Sequence, residues 1–161
     1  MLTDINILSE YRTGEDDPLT FYIACLQNST SYDRAAGYFS SSSISEAAKG
    51  FAHFIKNDGT MRLIASPDLR EEDIEAIKNA YKNKNEIIID RLKKSLIDEE
   101  DLIKKDRLNT LAWLIAKKIL TIKISVRVDK NGIPVQGIFH EKFGIFTDPK
   151  GNNIAFTGSS N

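Results

Sequence analysis

The residues with the clearest chemical potential lie near the end of the chain, at His140, Lys142 and Gly144. In a β-strand, residues two apart point to the same face, so a strand here would place all three side by side. An imidazole is a nucleophile or a proton carrier, and an ammonium beside it stabilises negative charge. Because glycine has no side chain, it would leave space for a tetrahedral anion. The spacing therefore predicts a site for such an anion.

A hairpin is predicted to complete this site. The sequence Asp-Pro-Lys-Gly at 148–151 is typical of a tight turn between two strands. The predicted pairing places Ser159 opposite His140 and Thr157 opposite Lys142, with a register uncertain by about one residue. A hydroxyl is thus expected beside the imidazole.

The pattern His-x-Lys, followed after the turn by Gly158-Ser159-x-Asn161, resembles the phospholipase D superfamily, whose members carry an HKD motif. A second segment, Gly-Tyr-Phe-Ser-Ser-Ser at 37–42, resembles a loop of phospholipase D-like nuclease modules fused to bacterial helicases or restriction systems. With this loop included, the resemblance extends from Asp33 to Asn161. The helical middle of the chain contributes little to it.

The chain departs from the family pattern at one position. The family has an aspartate five residues after the lysine, where this chain has Thr147, and Asp148 comes one residue later. In the family this aspartate supports the site without attacking the substrate. Asp148 either takes that role or is only the first residue of a turn.

The resemblance implies hydrolysis of a phosphodiester through a covalent phosphohistidine, with no metal and no cofactor. His140 would attack phosphorus in its neutral form, which histidines retain in part at neutral pH. Lys142, Ser159 and Asn161 would hold the non-bridging oxygens. A second histidine would protonate the leaving oxygen and then activate water. The sequence agrees, since it has no carboxylates clustered with the spacing of metal ligands.

Several further residues are assigned to the site by the same resemblance. Gly144, Gly158 and Asp148 are expected to support it. Amide groups of Ser40, Ser41 and Ser42 could hold a phosphate at the start of a helix, although these serines could equally serve only as a helix cap.

The second histidine is expected to come from another chain or from a part of the protein beyond Asn161, and a homodimer that shares the active site is the simpler option. The chain has only one other histidine, His53, which falls off the apolar stripe of its predicted helix and should face solvent. The family's domain also continues beyond the asparagine that Asn161 matches. The chain is therefore interpreted as a single phospholipase D-like domain, 1–161, at the N-terminus of a longer protein that could carry a helicase region.

DNA is the favoured substrate. The net charge of the whole chain is −1, but residues 117–150 contain seven basic and three acidic residues, a net charge of +4. The alternative is a non-catalytic module of a helicase or restriction system that binds the nucleic-acid backbone. A lipid hydrolase is a weaker reading, because no amphipathic membrane face is apparent. Taken singly, His140, Lys142 and the Gly-Ser-Ser-Asn end could also be ordinary strand and tail residues.

Composition favours a soluble cytoplasmic protein without a membrane partner. A single cysteine, Cys25, excludes an internal disulfide and a cysteine-based zinc site. The longest apolar run, 111–116, is far shorter than the roughly 20 residues needed to span a bilayer. Polar residues at Asp4, Asn6 and Glu10 interrupt any signal peptide.

The periodicity of apolar residues predicts an α/β fold, with a mixed β-sheet flanked by helices and a helical insertion at about 68–118. Within the insertion, 68–107 contains 12 acidic and 10 basic residues, which favours solvated amphipathic helices over a DNA-binding helix. The predicted helices are 18–27, 44–55 and 107–118, and the predicted strands are 33–39, 61–65, 122–128, 137–147 and 153–157.

Overall fold

The helices and strands follow one another in the predicted order. A computed structural model describes residues 1–12, 14–66, 70–83, 86, 99–133, 135 and 139–158 of the chain. In chain order, the elements are α1 (Pro18–Gln27), β1 (Ser31–Ala36), α2 (Ser42–Glu46), α3 (Ala48–Lys56), β2 (Thr60–Ala65), α4 (Glu71–Lys82), α5 (Glu99–Lys105), α6 (Arg107–Ala116), β3 (Leu120–Ile124), β4 (Lys142–Thr147) and β5 (Asn153–Thr157). A single 3₁₀ turn, Leu2–Asp4, precedes them.

The five strands form one mixed sheet in the order β3-β2-β1-β4-β5. β1, β2 and β3 are parallel, whereas β4 is antiparallel to both of its neighbours, β1 and β5. These pairings confirm the predicted α/β fold, in which β1, α2, α3 and β2 form a parallel βαβ unit. The carboxyl ends of β1, β2, β3 and β5 share one edge of the sheet with the amino end of β4, and this edge is called the carboxyl edge.

One face of the sheet is covered by helices. Tyr32, Leu63 and Phe146 point to this face and are buried in the core, with the rings of Tyr32 and Phe146 stacked at 4.2 Å between centroids. Burial alternates at every residue of β2, as expected for a strand with one covered face. The helices contribute core residues from α1, α3 and α6: Phe21, Cys25, Leu26, Phe51, Phe54, Leu111 and Leu114.

The other face of the sheet is more open. Ile64 and Phe143, which flank the buried Ala35 in the strand register, are each 42 % exposed. Beside them Arg62 donates from Nε to Asp33 at 2.6 Å and pairs with it through a second nitrogen. The exposed apolar side chains of this face form a surface on which another element or chain can pack.

Local chemistry explains where the first helix begins. Pro18 is the first residue of α1, and the carboxylate of Asp17 accepts hydrogen bonds from Leu19 N at 3.0 Å and Thr20 Oγ1 at 2.6 Å. This cap satisfies amides at the start of the helix that have no partner within it. The predicted helix start is confirmed.

Several predicted boundaries are wrong by a few residues. The helix expected at 44–55 is interrupted at Ala47, which lies between α2 and α3 with ψ of 24°. β1 ends at Ala36, before the predicted Phe39. β3 ends at Ile124, because the chain beyond it pairs with itself: Val135 N donates to Arg127 O at 3.0 Å.

The described part of the predicted insertion is helical and packs onto the βαβ unit. α4 packs against α6, and Arg107 at the start of α6 donates to Glu72 of α4 at 2.8 Å. α5 contributes the buried Leu102 and Ile103. Among the described residues, no helix combines the length and the apolar character needed to cross a bilayer.

Candidate functional site

The candidate residues of the described chain meet at the carboxyl edge of the sheet. Lys142 is the first residue of β4 and lies beside Ala36, the last residue of β1. On its other side, Gly158 N donates to Lys142 O at 2.9 Å just after β5 ends. The loop after β1, the start of β4 and the end of β5 therefore converge at one place.

The prediction that one strand aligns His140 with Lys142 and Gly144 is wrong, because β4 begins at Lys142. His140 lies two residues before it and is exposed to solvent. Its backbone is in close contact with Gly37: a Cβ added to Gly37 would lie 2.9 Å from Phe139 O and 3.1 Å from His140 Cα. Because it has no side chain, Gly37 allows the loop after β1 to approach His140 more closely than any other residue at this position would allow. Lys142 is half-buried, and neither it nor His140 has a side-chain hydrogen bond to another described residue.

The hairpin register differs from the prediction by one residue. Thr147 pairs with Asn153, so Thr157 lies opposite Phe143 and not opposite Lys142. A shift of one residue exchanges the two faces of a strand. The Thr157 hydroxyl nevertheless contacts the backbone of the candidate site: its Oγ1 donates a hydrogen bond to Lys142 O at 3.3 Å.

Two of the four residues assigned to catalysis, Ser159 and Asn161, lie outside the described residues. Gly158, just before them, has a φ of 124°, which side-chain-bearing residues rarely adopt. The glycine therefore permits the turn that leads the chain out of β5. The contacts predicted for Ser159 and Asn161 stay predictions.

The space beside Gly144 is filled by protein, which corrects the expectation that it would accommodate a tetrahedral anion. A Cβ on Gly144 would lie 2.4 Å from Cε1 and Cζ of the Phe156 ring and 3.1 Å from Tyr32. Gly144 is buried on the helix-covered face of the sheet. It supports the site by letting the Phe156 ring pack across β4.

Asp148 lies at the opposite end of β4 from His140, and its role is in the turn. It is 2 % exposed, and its carboxylate accepts hydrogen bonds from Leu2 N at 3.2 Å, Lys150 N at 2.9 Å and Asn152 N at 3.0 Å. Burial works to raise its pKa, but the hydrogen bonds, chiefly those from Asn152, hold the pKa below its ordinary value. Of the two roles considered for Asp148, the turn is the one that its contacts show.

The predicted substrate-binding serines are engaged by protein groups. Ser41 is fully buried: its amide donates to Asp73, and its Oγ accepts from Arg107 at 2.8 Å. Ser40 and Ser42 hydrogen-bond to each other through their hydroxyls, and Ser42 N donates to Ser40 Oγ at 3.2 Å. The amides of Ser41 and Ser42 are therefore bonded within the protein and are not free for a phosphate, and the side chain of Ser41, the N-cap of α2, does not cap the helix.

The sequence interpretation missed Asp73 and Arg107. Asp73 stands among acidic neighbours in the first turn of α4, a pattern typical of a solvated helix start, yet it is fully buried. Only the tertiary fold brings α4 and α6 to the serine loop. The helical middle of the chain therefore holds one wall of the candidate site in place.

Arg34 is a third residue that the sequence pattern does not reveal. It lies opposite Gly144 in the register, on the helix-covered face and two residues from the carboxyl edge. Its Nη1 donates to the hydroxyls of Tyr22 at 2.8 Å and Tyr32 at 3.3 Å, and its guanidinium lies 5.1 Å from the Phe156 ring centroid. Its partners are neutral, so its positive charge adds to that of Lys142 near this edge.

The loop after β1 also presents an exposed aromatic residue. Tyr38 follows Gly37, is 53 % exposed, and accepts a hydrogen bond from Arg70 Nε at 2.7 Å. The Arg70 guanidinium lies 5.9 Å from the centroid of the Tyr38 ring. The ring is therefore fixed at its hydroxyl end although most of its surface is in solvent.

The described residues contain no group of three or more histidine, cysteine, aspartate or glutamate side chains arranged to hold a metal ion. The groups that could act on a ligand at the carboxyl edge are an imidazole and an ammonium, from His140 and Lys142, while Arg34, which is bonded to Tyr22 and Tyr32, contributes positive charge nearby. Together they suit an anionic ligand.

Comparisons with protein-family models, with curated proteins and with solved structures find no match for this chain. The resemblance to the phospholipase D superfamily therefore rests on the sequence motifs alone and remains a hypothesis.

Proposed function

We propose that the protein hydrolyses phosphodiesters without a metal ion, with His140 as the nucleophile. The observation that supports this most is the close contact of His140 with Gly37. This contact brings the solvent-exposed imidazole, Lys142 and the loop after β1 to one edge of the sheet.

The proposed reaction has two steps. In the first, a nitrogen of neutral His140 attacks phosphorus, the phosphorus–oxygen bond to the leaving group breaks, and a second imidazole gives its proton to the leaving oxygen. In the second, water attacks phosphorus, its proton passes to that second imidazole, and the phosphorus–nitrogen bond breaks. Lys142 holds a non-bridging oxygen throughout. Ser159 and Asn161 are proposed to hold the others.

The second imidazole is proposed to be His140 of another copy of the chain. His53 is exposed on α3, where its Nδ1 donates to Lys49 O at 2.9 Å. α3 belongs to the helical layer that connects β1 to β2, away from β4. A homodimer with its two-fold axis beside His140 would bring two imidazoles to one phosphorus. The exposed Phe143 and Ile64 near this edge offer apolar surface for such a contact.

DNA is the proposed substrate because the charge near the carboxyl edge is positive. Lys142 lies at this edge, and Arg34 adds a further positive charge from β1, two residues away from it. Phosphate contacts of this kind bind the nucleic-acid backbone without reading its sequence.

The proposal is tested by incubating the protein with DNA and with bis-para-nitrophenyl phosphate in EDTA. Light scattering at micromolar concentration should first show a dimer, of about twice 18.1 kDa. The wild type should cleave both substrates, His140→Ala should lose at least about 1,000-fold in rate, and His53→Ala should retain activity. Equal inactivity of wild-type and His140→Ala dimers would contradict the enzymatic function. Salt-sensitive DNA binding without cleavage, lost in Lys142→Ala but kept in His140→Ala, would identify a backbone-binding module.

A further inference from the structure

Tyr38 is exposed although the residues on both sides of it contact the rest of the protein. The next residue, Phe39, is 6 % exposed and anchors the loop in the core, whereas Tyr38 is 53 % exposed. Gly37, on its other side, contacts the backbone of His140. Because adjacent Cα atoms are about 3.8 Å apart, Tyr38 must stand close to the candidate nucleophile.

Its hydrogen bond with Arg70 limits the motion of this ring. Arg70 precedes α4, so the contact joins residues 32 positions apart in the chain. A tyrosine that is both exposed and held in place presents a flat apolar surface without losing much side-chain freedom when a ligand binds. The guanidinium adds a positive charge beside the ring.

These features are those of a stacking platform for a nucleobase. Proteins that bind single-stranded nucleic acids combine positive charge along the backbone with aromatic side chains on which unpaired bases stack. A base inside a duplex has both faces covered by its neighbours, so an exposed ring can stack only on an unpaired or terminal base. Here the ring lies beside the Arg70 guanidinium, in the loop whose Gly37 contacts the backbone of His140.

We infer that Tyr38, positioned by Arg70, stacks on an unpaired nucleobase next to the phosphate held at His140 and Lys142. The preferred ligand is therefore a single strand, or a site with unpaired bases, in preference to a continuous duplex. This inference rests on the proposed function for the position of the phosphate. It adds the class of nucleic acid that the site selects.

Binding is measured in a His140→Ala background, so that cleavage does not interfere. Fluorescence anisotropy would compare a single-stranded oligonucleotide, the same sequence as a duplex, and a single strand of equal length with abasic residues. Tyr38→Ala should weaken binding of the base-containing single strand by about 5- to 150-fold, the value of one lost base–aromatic stack. It should leave the abasic strand almost unaffected.

A matched control is Tyr81→Ala, because Tyr81 is 67 % exposed on α4. This variant should bind all three oligonucleotides like its parent. Tyr38→Phe keeps the ring but loses the hydrogen bond to Arg70, and it should show an intermediate loss confined to the base-containing single strand. Because Tyr38→Phe removes the hydrogen bond but no charged group, this pattern would show that Arg70 acts by positioning the ring.

Two results would overturn the inference: equal weakening of the base-containing and abasic strands by Tyr38→Ala, or no weakening of either. The inference would also be overturned if the parent protein, His140→Ala, bound none of the oligonucleotides. A failure of the proposed function alone gives another result: base-dependent binding through Tyr38 persists, while the protein with His140 intact cleaves none of the strands.

Discussion

Both carboxylate oxygens of Asp73 lie 3.3 Å from the backbone nitrogen of Ser41, and the amide donates to this buried carboxylate. The contact joins the loop after β1 to α4, across 32 positions of sequence. The polar groups that start α2 are therefore satisfied within the protein, and the loop carrying Gly37 and Tyr38 is held from outside the βαβ unit.

Asp73→Ala should lower the free energy of unfolding by about 1–3 kcal/mol, because it leaves the buried Ser41 amide without its partner. Urea unfolding followed by circular dichroism measures the change. Glu71→Ala is the control, since Glu71 is exposed in the same turn of α4. Equal stability of the two variants would show that the Asp73 contact contributes nothing.

Gly37→Ala should reduce phosphodiesterase turnover by about 10- to 100-fold, because small displacements of a catalytic group have effects of this size. The new Cβ would press on Phe139 O and His140 Cα. Gly50→Ala is a matched control for crowding: its Cβ would lie 3.0 Å from Leu26, far from the site in the α1–α3 contact. Full activity of a folded Gly37→Ala protein would contradict the importance of this close contact.

Asp148→Asn should be less stable than the wild type at neutral pH, with a difference that disappears in acid. The pKa of Asp148 in the folded protein lies below its ordinary value of 3.8, so its carboxylate contributes stability above that pH. This contribution is lost as the pH falls through the folded pKa. The urea midpoints of the two proteins should therefore differ at about pH 7 and draw together as the pH falls below 3.8.

Glu46→Gln serves as the control for Asp148→Asn, because Glu46 is exposed on α2. Its difference from the wild type should be small at every pH. A gap between Asp148→Asn and the wild type that widened in acid would contradict the hydrogen-bonded turn described for Asp148.

Cys25 should react with a thiol reagent only when the protein unfolds. Its side chain is fully buried, and burial raises the pKa of the thiol to about 12. At about pH 8 an unfolded cysteine is partly ionised, whereas this thiol stays protonated and inaccessible. Because the chain has one cysteine, absorbance at rising urea should show one thiol released along the unfolding curve. Fast modification of the native protein would contradict the burial of α1 against the sheet.

The periodicity of apolar residues was enough to predict the fold. Each strand or helix buries one face, and this gives a repeat that is readable within a few residues of sequence. The alternating burial of β2 and the capped start of α1 are both local, and both are found as expected. The β4–β5 hairpin was predicted from its turn residues alone. Its register was wrong by one residue because Asp148 accepts from both Lys150 and Asn152, which lengthens the turn.

The candidate site was predictable only in part, since several of its contacts join distant segments. His140 and Lys142 stand out by residue type and spacing. The environment of Gly144 depends on the Phe156 ring from the next strand, and that of Ser41 depends on Asp73 and α4. Periodicity within one element carries no information about such contacts.

The most direct test of His140 as the nucleophile is whether phosphate from the substrate becomes attached to it. A single-stranded DNA with radiolabelled internal phosphates is mixed with the protein in EDTA and quenched in alkali, where phosphohistidine survives. The protein is then digested, and label on the tryptic peptide 131–142 is counted in the wild type and in His140→Ala. The proposed mechanism predicts label on this peptide in the wild type and none in the variant. DNA cleavage that is still in progress at the moment of quenching, with label no higher than in His140→Ala, would contradict it.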